Sequence, residues 1–393
     1  MSAEPVASQS SRALVIAIVA GESSGDALGA PLMRALRVEL SPRKVTFVGV
    51  GGPAMEGEGL RSLFPLSDIA VMGFSAVIAR LPLILRRIRD TAALILATKP
   101  DALVIIDSPD FTHRVARRVR AKLPDLPVID YVSPSVWAWR PGRARAMRTY
   151  VDHVLALLPF EPEAHRRLGG PRCTYVGHPL SQRLDDFEPS ADEERARATS
   201  PPTLLVLPGS RRMEITRLLP VFGETIARLN ALRPIRPVLP VVKGLEAQIL
   251  AHTSRWMVTP EIVTGEAAKL SAFRRARAAL AASGTVTLEL ALAGVPMVAA
   301  YKVGGLEFLI LRNLVTAPFV LLPNLVLGEP AVPELIQHAC TCEALTSALL
   351  ALLDETVERR TQLAALARVR SRVRVSGANP AEKAARVVID ELS

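Results

Sequence analysis

Short, almost unbroken apolar runs recur along the chain. Each is followed by a few Gly, Ser, Pro or Asp residues and then by an amphipathic stretch. Leu14 to Val19, Val45 to Val50, Ala102 to Ile106, Val128 to Val132, His153 to Leu157 and Cys173 to Val176 have the length of strands. They lack polar alternation and are dense in Val, Ile and Leu, so they read as strands covered on both faces, the pattern of a parallel sheet. Ala27 to Glu39, Phe74 to Ala97 and Phe111 to Lys122 carry helical spacing and predict the covering helices. The rhythm fails in "DDFEPSADEERARATSPP", Asp185 to Pro202, which predicts a linker. It restarts with Thr203 to Leu207, Val238 to Val242, Met257 to Val263, Ala278 to Ala282 and Pro296 to Ala300, and helices are expected from about Cys342 to the end.

The predicted fold class is therefore α/β, with two Rossmann-like, doubly wound domains. The expected divisions are residues 1–185, a linker at 186–202, residues 203–365, and terminal helices at 366–393. A chain of 393 residues is too long for one ordinary core, which agrees with two. Ligands of open parallel sheets sit outside the carboxyl ends of the strands. Two such domains facing each other would enclose a central cleft, so the loops that follow strands are where chemistry is expected.

Composition narrows the choice. A hydrophobic content of 49% excludes a disordered chain. No uninterrupted apolar stretch approaches the roughly 18 residues of a bilayer span. Arg12 followed by Ala13 to Ala20 has the look of a signal-peptide core, but the glycine-containing loop and amphipathic helix behind it favour a buried strand. Cys173, Cys340 and Cys342 offer neither a disulfide framework nor paired zinc spacing. The histidines at 113, 153, 165, 178, 252 and 338 show no metal spacing either, and a reducing cytoplasm fits best. The net charge of +10 is mostly arginine spread over many helices, which suits a phosphorylated substrate, an anionic lipid surface or nucleic acid. Aromatics are only 4% of the chain and no arginine cluster is interleaved with Tyr or Phe, so base stacking, and with it a nucleic-acid partner, is not expected.

Five loops carry candidate chemistry. Gly21-Glu22-Ser23-Ser24-Gly25-Asp26 follows the first strand; it is neither G-x-G-x-x-G nor a P-loop. Its glycines would let a ligand approach a helix start, or Ser24 or Asp26 caps a plain turn. In Ile106-Asp107-Ser108-Pro109-Asp110-Phe111 two carboxylates end a buried strand; Asp110 reads as the cap of the next helix. Pro134-Ser135-Val136-Trp137-Ala138-Trp139-Arg140 places Trp137 and Trp139 where they could stack on a sugar ring or pack a domain seam. Pro208-Gly209-Ser210-Arg211 opens a helix: Gly209 clears space, the first helical N–H groups point outward and Arg211 adds a cation, a mechanism for binding a diphosphate. Ser283-Gly284-Thr285 opens another helix with small and hydroxyl residues suited to phosphate oxygens. Glu289, one turn on, can accept hydrogen bonds from a ribose diol. His178 reads as part of a structural turn, and Asp185 and Asp186 as solvated.

Taken in order, "AGESSGD", "IDSPDF", "YVSPSVWAWR", "LPFE", "VGHP", "LPGSR", "SGTVTLE" and "LPNL" resemble the bacterial lipid-A-disaccharide synthase family, from about Val19 to at least Leu335. The resemblance implies a GT-B glycosyltransferase that joins UDP-2,3-diacylglucosamine to 2,3-diacylglucosamine 1-phosphate (lipid X), forming a β-1,6 disaccharide and UDP with inversion. It implies a nucleotide on the C-terminal domain and a final helix that crosses back to the N-terminal one. It also implies substrate-binding roles for Glu22, Ser24, Asp26, Asp110, Trp137, Trp139, Gly209, Ser210, Arg211, Ser283, Gly284, Thr285, Glu289 and Asn324 of "LPNL". The acceptor hydroxyl must lose a proton as it attacks C1, and Asp107, the last strand-like residue, is the expected general base. Arginine and helix starts would stabilise the leaving diphosphate, so neither a metal nor a cofactor is expected. The nearest alternative is a GT-B enzyme acting on UDP-N-acetylglucosamine, such as a UDP-sugar 2-epimerase.

Both implied substrates carry acyl chains. In Val71 to Ile88, "VMGFSAVIARLPLILRRI", the apolar residues Met72, Phe74, Val77, Ile78, Leu81, Leu83, Ile84 and Leu85 spread too widely for one narrow stripe, and Arg80, Arg86, Arg87 and Arg89 flank them. This predicts peripheral docking on an anionic membrane surface, and the resemblance implies a cytoplasmic protein at the inner face of the bacterial inner membrane. The other uses of such a face are packing on the first sheet or against a second subunit in a homodimer.

Overall fold

The computed structural model describes residues 12–69, 74–305, 308, 309, 314–375, 377 and 379–392. The chain divides into two compact units, Met1–Pro179 with Val375–Ser393, and Leu180–Arg374.

The first unit is built on β1 (Leu14–Ala20), β2 (Val45–Val50), β3 (Arg61–Ser62), β4 (Ala102–Ile106), β5 (Val128–Tyr131), β6 (His153–Ala156) and β7 (Arg172–Tyr175). Their order is β3-β2-β1-β4-β5-β6-β7 and every pairing is parallel. Successive residues point to opposite faces of a strand. Thus Ile16, Ile18, Val104 and Ile106 join one buried core, and Ala17, Val19, Leu103 and Ile105 join another. The helix α1 (Ser23–Glu39) buries Leu32, Met33 and Leu36 on the first face. On the second lie α3 (Phe74–Thr98), through Ile88 and Ile95, and α4 (Pro109–Arg120), through Phe111, Val115 and Val119; the short α2 (Pro53–Gly57) precedes them.

The second unit repeats the plan with β8 (Thr203–Leu207), β9 (Arg236–Val241), β10 (Glu261–Thr264), β11 (Ala278–Ala282), β12 (Met297–Tyr301) and β13 (Glu334–Ile336). Here the order is β10-β9-β8-β11-β12-β13, again parallel throughout. In the first unit the short helices α5 (Gly142–Met147) and α6 (Glu161–Arg167) connect β5 to β6 and β6 to β7, and α7 (Ala191–Arg197) is the first α-helix of the second. Its sheet is followed strand by strand by α8 (Arg212–Leu232), α9 (Glu246–Thr253), α10 (Glu266–Arg275) and α11 (Thr285–Leu292).

The domain boundaries differ from those expected. Residues 186–202 are not a linker but part of the second unit. Pro179–Phe187 forms 3-10 turns that bury Leu180, Leu184 and Phe187, and α7 starts in a capping box made by Ser190 and Glu193. Arg197 is buried, donating to the carbonyls of Arg274 at 2.7 Å and Ala293 at 2.8 Å. Charged letters here do packing work that the apolar rhythm does not report. At the other end the helix Val357–Val373 runs through residue 366 unbroken, and the change of unit falls after Arg374. The helix Pro380–Asp390 then packs Ala381, Ala384, Ala385 and Val388 into the core beneath α1. Glu391 ties it down through His153 at 2.8 Å and Arg172 at 2.7 Å. The strand β10 begins at Glu261 rather than Met257, which is 91% exposed. Within the proposed membrane stretch, Met72 and the side chains of Phe74, Val77 and Ile78 lie outside the described residues.

Candidate active site

In each sheet the strand order reverses direction once, between β1 and β4 in the first unit and between β8 and β11 in the second. The loops leaving those neighbouring strands diverge to opposite faces and open a crevice at the carboxyl edge. Asp107 stands at the first such point and Gly209 to Arg211 at the second.

Asp107 and Ser108 both have positive φ, +56° and +46°, a left-handed pair without glycine. Such residues persist where the surroundings over-determine them. Here the Asp107 N–H donates to the Tyr131 carbonyl at 3.2 Å, and Thr112 Oγ1 donates to the Asp107 carbonyl at 2.7 Å. The turn leaves the carboxylate half-buried at the end of β4, with Oδ1 accepting from the Ser108 N–H at 2.7 Å and Oδ2 from Ser24 Oγ at 2.8 Å. The two loops touch closely: a Cβ on Gly21 would collide with Ser108. Glu22 and Ser24 are exposed on the same rim.

Two carboxylates in this region do other work. Asp26 is buried and accepts from the N–H groups of Gly52 at 2.8 Å, Ala54 at 3.0 Å and Met55 at 2.9 Å. It anchors the start of α2 rather than facing a ligand, because both oxygens are occupied. Asp110 is not the helix cap; Ser108 holds that place and α4 begins at Pro109. The Asp110 side chain is 87% exposed, 3.8 Å from Arg143.

The loop after β5 holds its tryptophans differently. Trp139 lies beneath the guanidinium groups of Arg140 and Arg143, 4.4 and 5.6 Å from its ring centre. Trp137 turns inward, edge-on to Phe160, and its Nε1 donates to Glu161 Oε1 at 3.2 Å. Glu161 is buried, its other oxygen accepting from the Leu158 N–H at 2.9 Å. Burial raises its carboxyl to about 7.

The second switch point is a cavity of about 550 Å³ lined by Gly209, Ser210, Arg211, Ser283, Gly284, Thr285 and Glu289 together. Gly209 has φ +105° and a Cβ there would strike the Glu214 carboxylate, so the tight turn at the start of α8 requires glycine. Arg211 is the residue before α8 and its Nη1 lies 3.2 Å from Glu214 Oε1. Gly284 precedes α11 at φ +156°, and Glu289 receives Lys269 Nζ at 2.9 Å. Glu214, Lys243, Glu266 and Lys269 also line the cavity. Sequence reading missed them, although Lys243 and Glu266 stand where loops leave β9 and β10, the signal used for the others.

Asn324 lies elsewhere in the second unit and is fully buried. Its Nδ2 donates to the Val332 carbonyl at 2.9 Å and to Glu334 Oε1 at 2.8 Å, while Oδ1 accepts from the Val332 N–H at 2.8 Å. Its amide holds the segment leading into β13, and it does not line the cavity. Among the described residues no group of three or more His, Cys, Asp or Glu is arranged to hold a metal ion.

Two Rossmann-like parallel sheets, each with its loops gathered at a switch point, define the GT-B class. Solved structures agree: the glycotransferase of kitacinnamycin superposes with a TM-score of 0.61 at 17% identity, covering 97% of this chain and 100% of that one. The UDP-GlcNAc 2-epimerase of Neisseria meningitidis gives 0.59 at 11% identity, covering 96% and 99%. At such identity the likeness speaks to fold alone. Sequence is more specific. Residues 16–388 match the family described as Lipid-A-disaccharide synthetase, and the Lipid-A-disaccharide synthase of Nitrobacter hamburgensis is 54% identical over 391 residues, 99% of this chain and 98% of that protein. The chain belongs to the lipid-A-disaccharide synthetase family.

Proposed function

We propose that the protein is an inverting hexosyltransferase that joins UDP-2,3-diacylglucosamine to 2,3-diacylglucosamine 1-phosphate, releasing UDP and the β-1,6-linked disaccharide 1-phosphate of lipid A. Family membership over nearly the whole chain carries this reading. The cavity at the second switch point suits the UDP moiety: helix-start N–H groups of α8 and α11 for the diphosphate, Arg211 as a cation, Glu289 for the ribose diol. As the bond from C1 to the diphosphate breaks, negative charge grows on the leaving oxygen, and these fixed donors stabilise it. In the first unit Asp107 is the general base. Ser24 and the Ser108 N–H orient its carboxylate, and the attacking 6-hydroxyl of the acceptor passes its proton there as the oxygen bonds to C1. Attack opposite the departing UDP inverts the anomeric centre.

The acyl chains place the reaction at a bilayer surface. No helix among the described residues is long and apolar enough to cross a membrane. We assign peripheral docking on anionic lipid to α3, where Leu81 is 43% exposed and Arg80, Arg86 and Arg89 stand at the surface. The deciding assay offers the purified protein both acylated substrates in mixed micelles and scores UDP and disaccharide. Turnover of acyl-free UDP-N-acetylglucosamine in place of disaccharide formation would overturn the reading in favour of an epimerase.

A further inference from the structure

The charges around the cavity of the second unit pair off almost completely. Arg211 faces Glu214 at 3.2 Å, and Glu214 is only 14% exposed. Lys269 Nζ sits 2.9 Å from Glu289 Oε1. Glu266 lies 3.1 Å from Arg183 and 3.4 Å from Lys269. Lys243 is the exception: it is exposed, lines the same cavity, and has no ion pair or hydrogen bond to any described residue.

Geometry makes this matter. Gly209 is bare so that the Glu214 carboxylate can fold against the turn, which puts a negative charge beside the helix start where a diphosphate would lie. Arg211 is largely neutralised by that same carboxylate, so its attraction for an incoming dianion is offset. A leaving diphosphate carries about two negative charges or more, and an unpaired cation on the rim supplies what the paired residues do not. Lys243 follows β9, the strand paired to β8 on the side away from β11, so it reaches the cavity from the flank opposite Ser283 to Thr285. An ammonium there suits this task because it is a point charge on a flexible stem that can follow the diphosphate as the bond to C1 breaks.

We propose that Lys243 is a further diphosphate-binding residue, the mobile cation that engages the leaving UDP. This rests on the reading of the cavity as the UDP site. Isothermal titration with UDP, and ligand-observed NMR with uridine, test it on the full chain. Lys243→Met should weaken UDP about 10- to 100-fold, the range of a charge-assisted hydrogen bond, while uridine affinity stays unchanged. Lys243→Arg should recover most of the loss, and the gap between wild type and Lys243→Met should shrink as salt is raised. If Lys243→Met binds UDP like the wild type while Arg211→Ala and Glu289→Gln bind it poorly, Lys243 is a solvated surface lysine and the proposal fails with the site intact. If none of the three substitutions, nor Gly209→Val, changes UDP binding, the site itself has been placed wrongly. Equal losses of UDP and uridine affinity in Lys243→Met would also overturn the proposal, since a contact to the diphosphate cannot act on the nucleoside.

Discussion

Asp26, in the first turn of α1, and Asp107 follow the neighbouring strands β1 and β4, yet their surroundings divide them into an anchor and the proposed base. Asp26 accepts three backbone N–H groups and is closed to solvent; Asp107 is half-buried, with one hydroxyl and one N–H holding it in place. Asp26→Ala should therefore cost stability. Removing the acceptor leaves buried donors unsatisfied at about 1–3 kcal/mol each, so urea unfolding of the first unit should shift by more than about 2 kcal/mol while UDP affinity of the second unit is kept. Asp107→Asn should behave in the opposite way. Its fold should hold, UDP affinity should change little, and turnover should fall about 10²–10⁴-fold, the usual worth of a general base. Near-normal turnover in Asp107→Asn would send the search for the base to Glu22. The sequence shows two similar aspartates because the partners that separate them, at residues 52–55 and at Ser24, come together only in the fold.

At the scale of elements, the loop after β5 rests on α6 through the bond from Trp137 to Glu161. Burial raises the Glu161 carboxyl from its ordinary 4.5 to about 7, so between those values the folded protein holds a proton that the unfolded chain releases. Stability is then lost as pH climbs from about 4.5 to about 7 and is level above, by a total on the order of 3 kcal/mol. Glu161→Gln cannot ionise, so its stability relative to wild type should improve from pH 5 to pH 8; urea unfolding of both proteins at the two values checks this, and a gap that ignores pH would mean the carboxylate is charged throughout. Elements of this kind were legible to different degrees. The central strands were readable because a parallel strand buried on both faces has no polar positions, as in Ala102 to Ile106. The edge strands β3 and β13 were not, being two and three residues long and half exposed. Nor was the packing of α7, since it is held by Arg197 and Arg274 rather than by an apolar stripe. Among the site residues, the loops around Gly209 and Ser283 could be read because helix starts and glycines are local signals. Lys269 and Glu214 escaped because their roles depend on partners that the strand order supplies.

For the molecule as a whole, the +10 charge and the proposed membrane docking bear on α3. That helix is two-sided. Ile84 and Leu85 pack against the core, and Arg87 turns inward to Asp68 at 2.6 Å over the Phe64 ring. Leu81 and the guanidinium groups of Arg86 and Arg89 face outward. An apolar residue among arginines is what an interfacial segment needs, and each arginine near an anionic leaflet adds about 1 kcal/mol, a factor of about five in affinity. Changing Leu81 and Leu83 to Ser should reduce binding to vesicles containing phosphatidylglycerol and lower activity on bilayer-borne substrate, yet leave activity in detergent micelles and UDP affinity unchanged. Arg86→Ala with Arg89→Ala should weaken vesicle binding at low salt and matter little at high salt, where charges beyond the Debye length of about 3 Å at 1 M no longer attract. Ile84→Ser is the contrasting case: it opens the core and should lower the unfolding midpoint. Vesicle sedimentation with the three variants separates the two faces of the helix. If the Leu81 and Leu83 substitutions leave sedimentation as it was, or if binding ignores salt and lipid charge, this surface does not meet the membrane and the acyl chains must be drawn in by another.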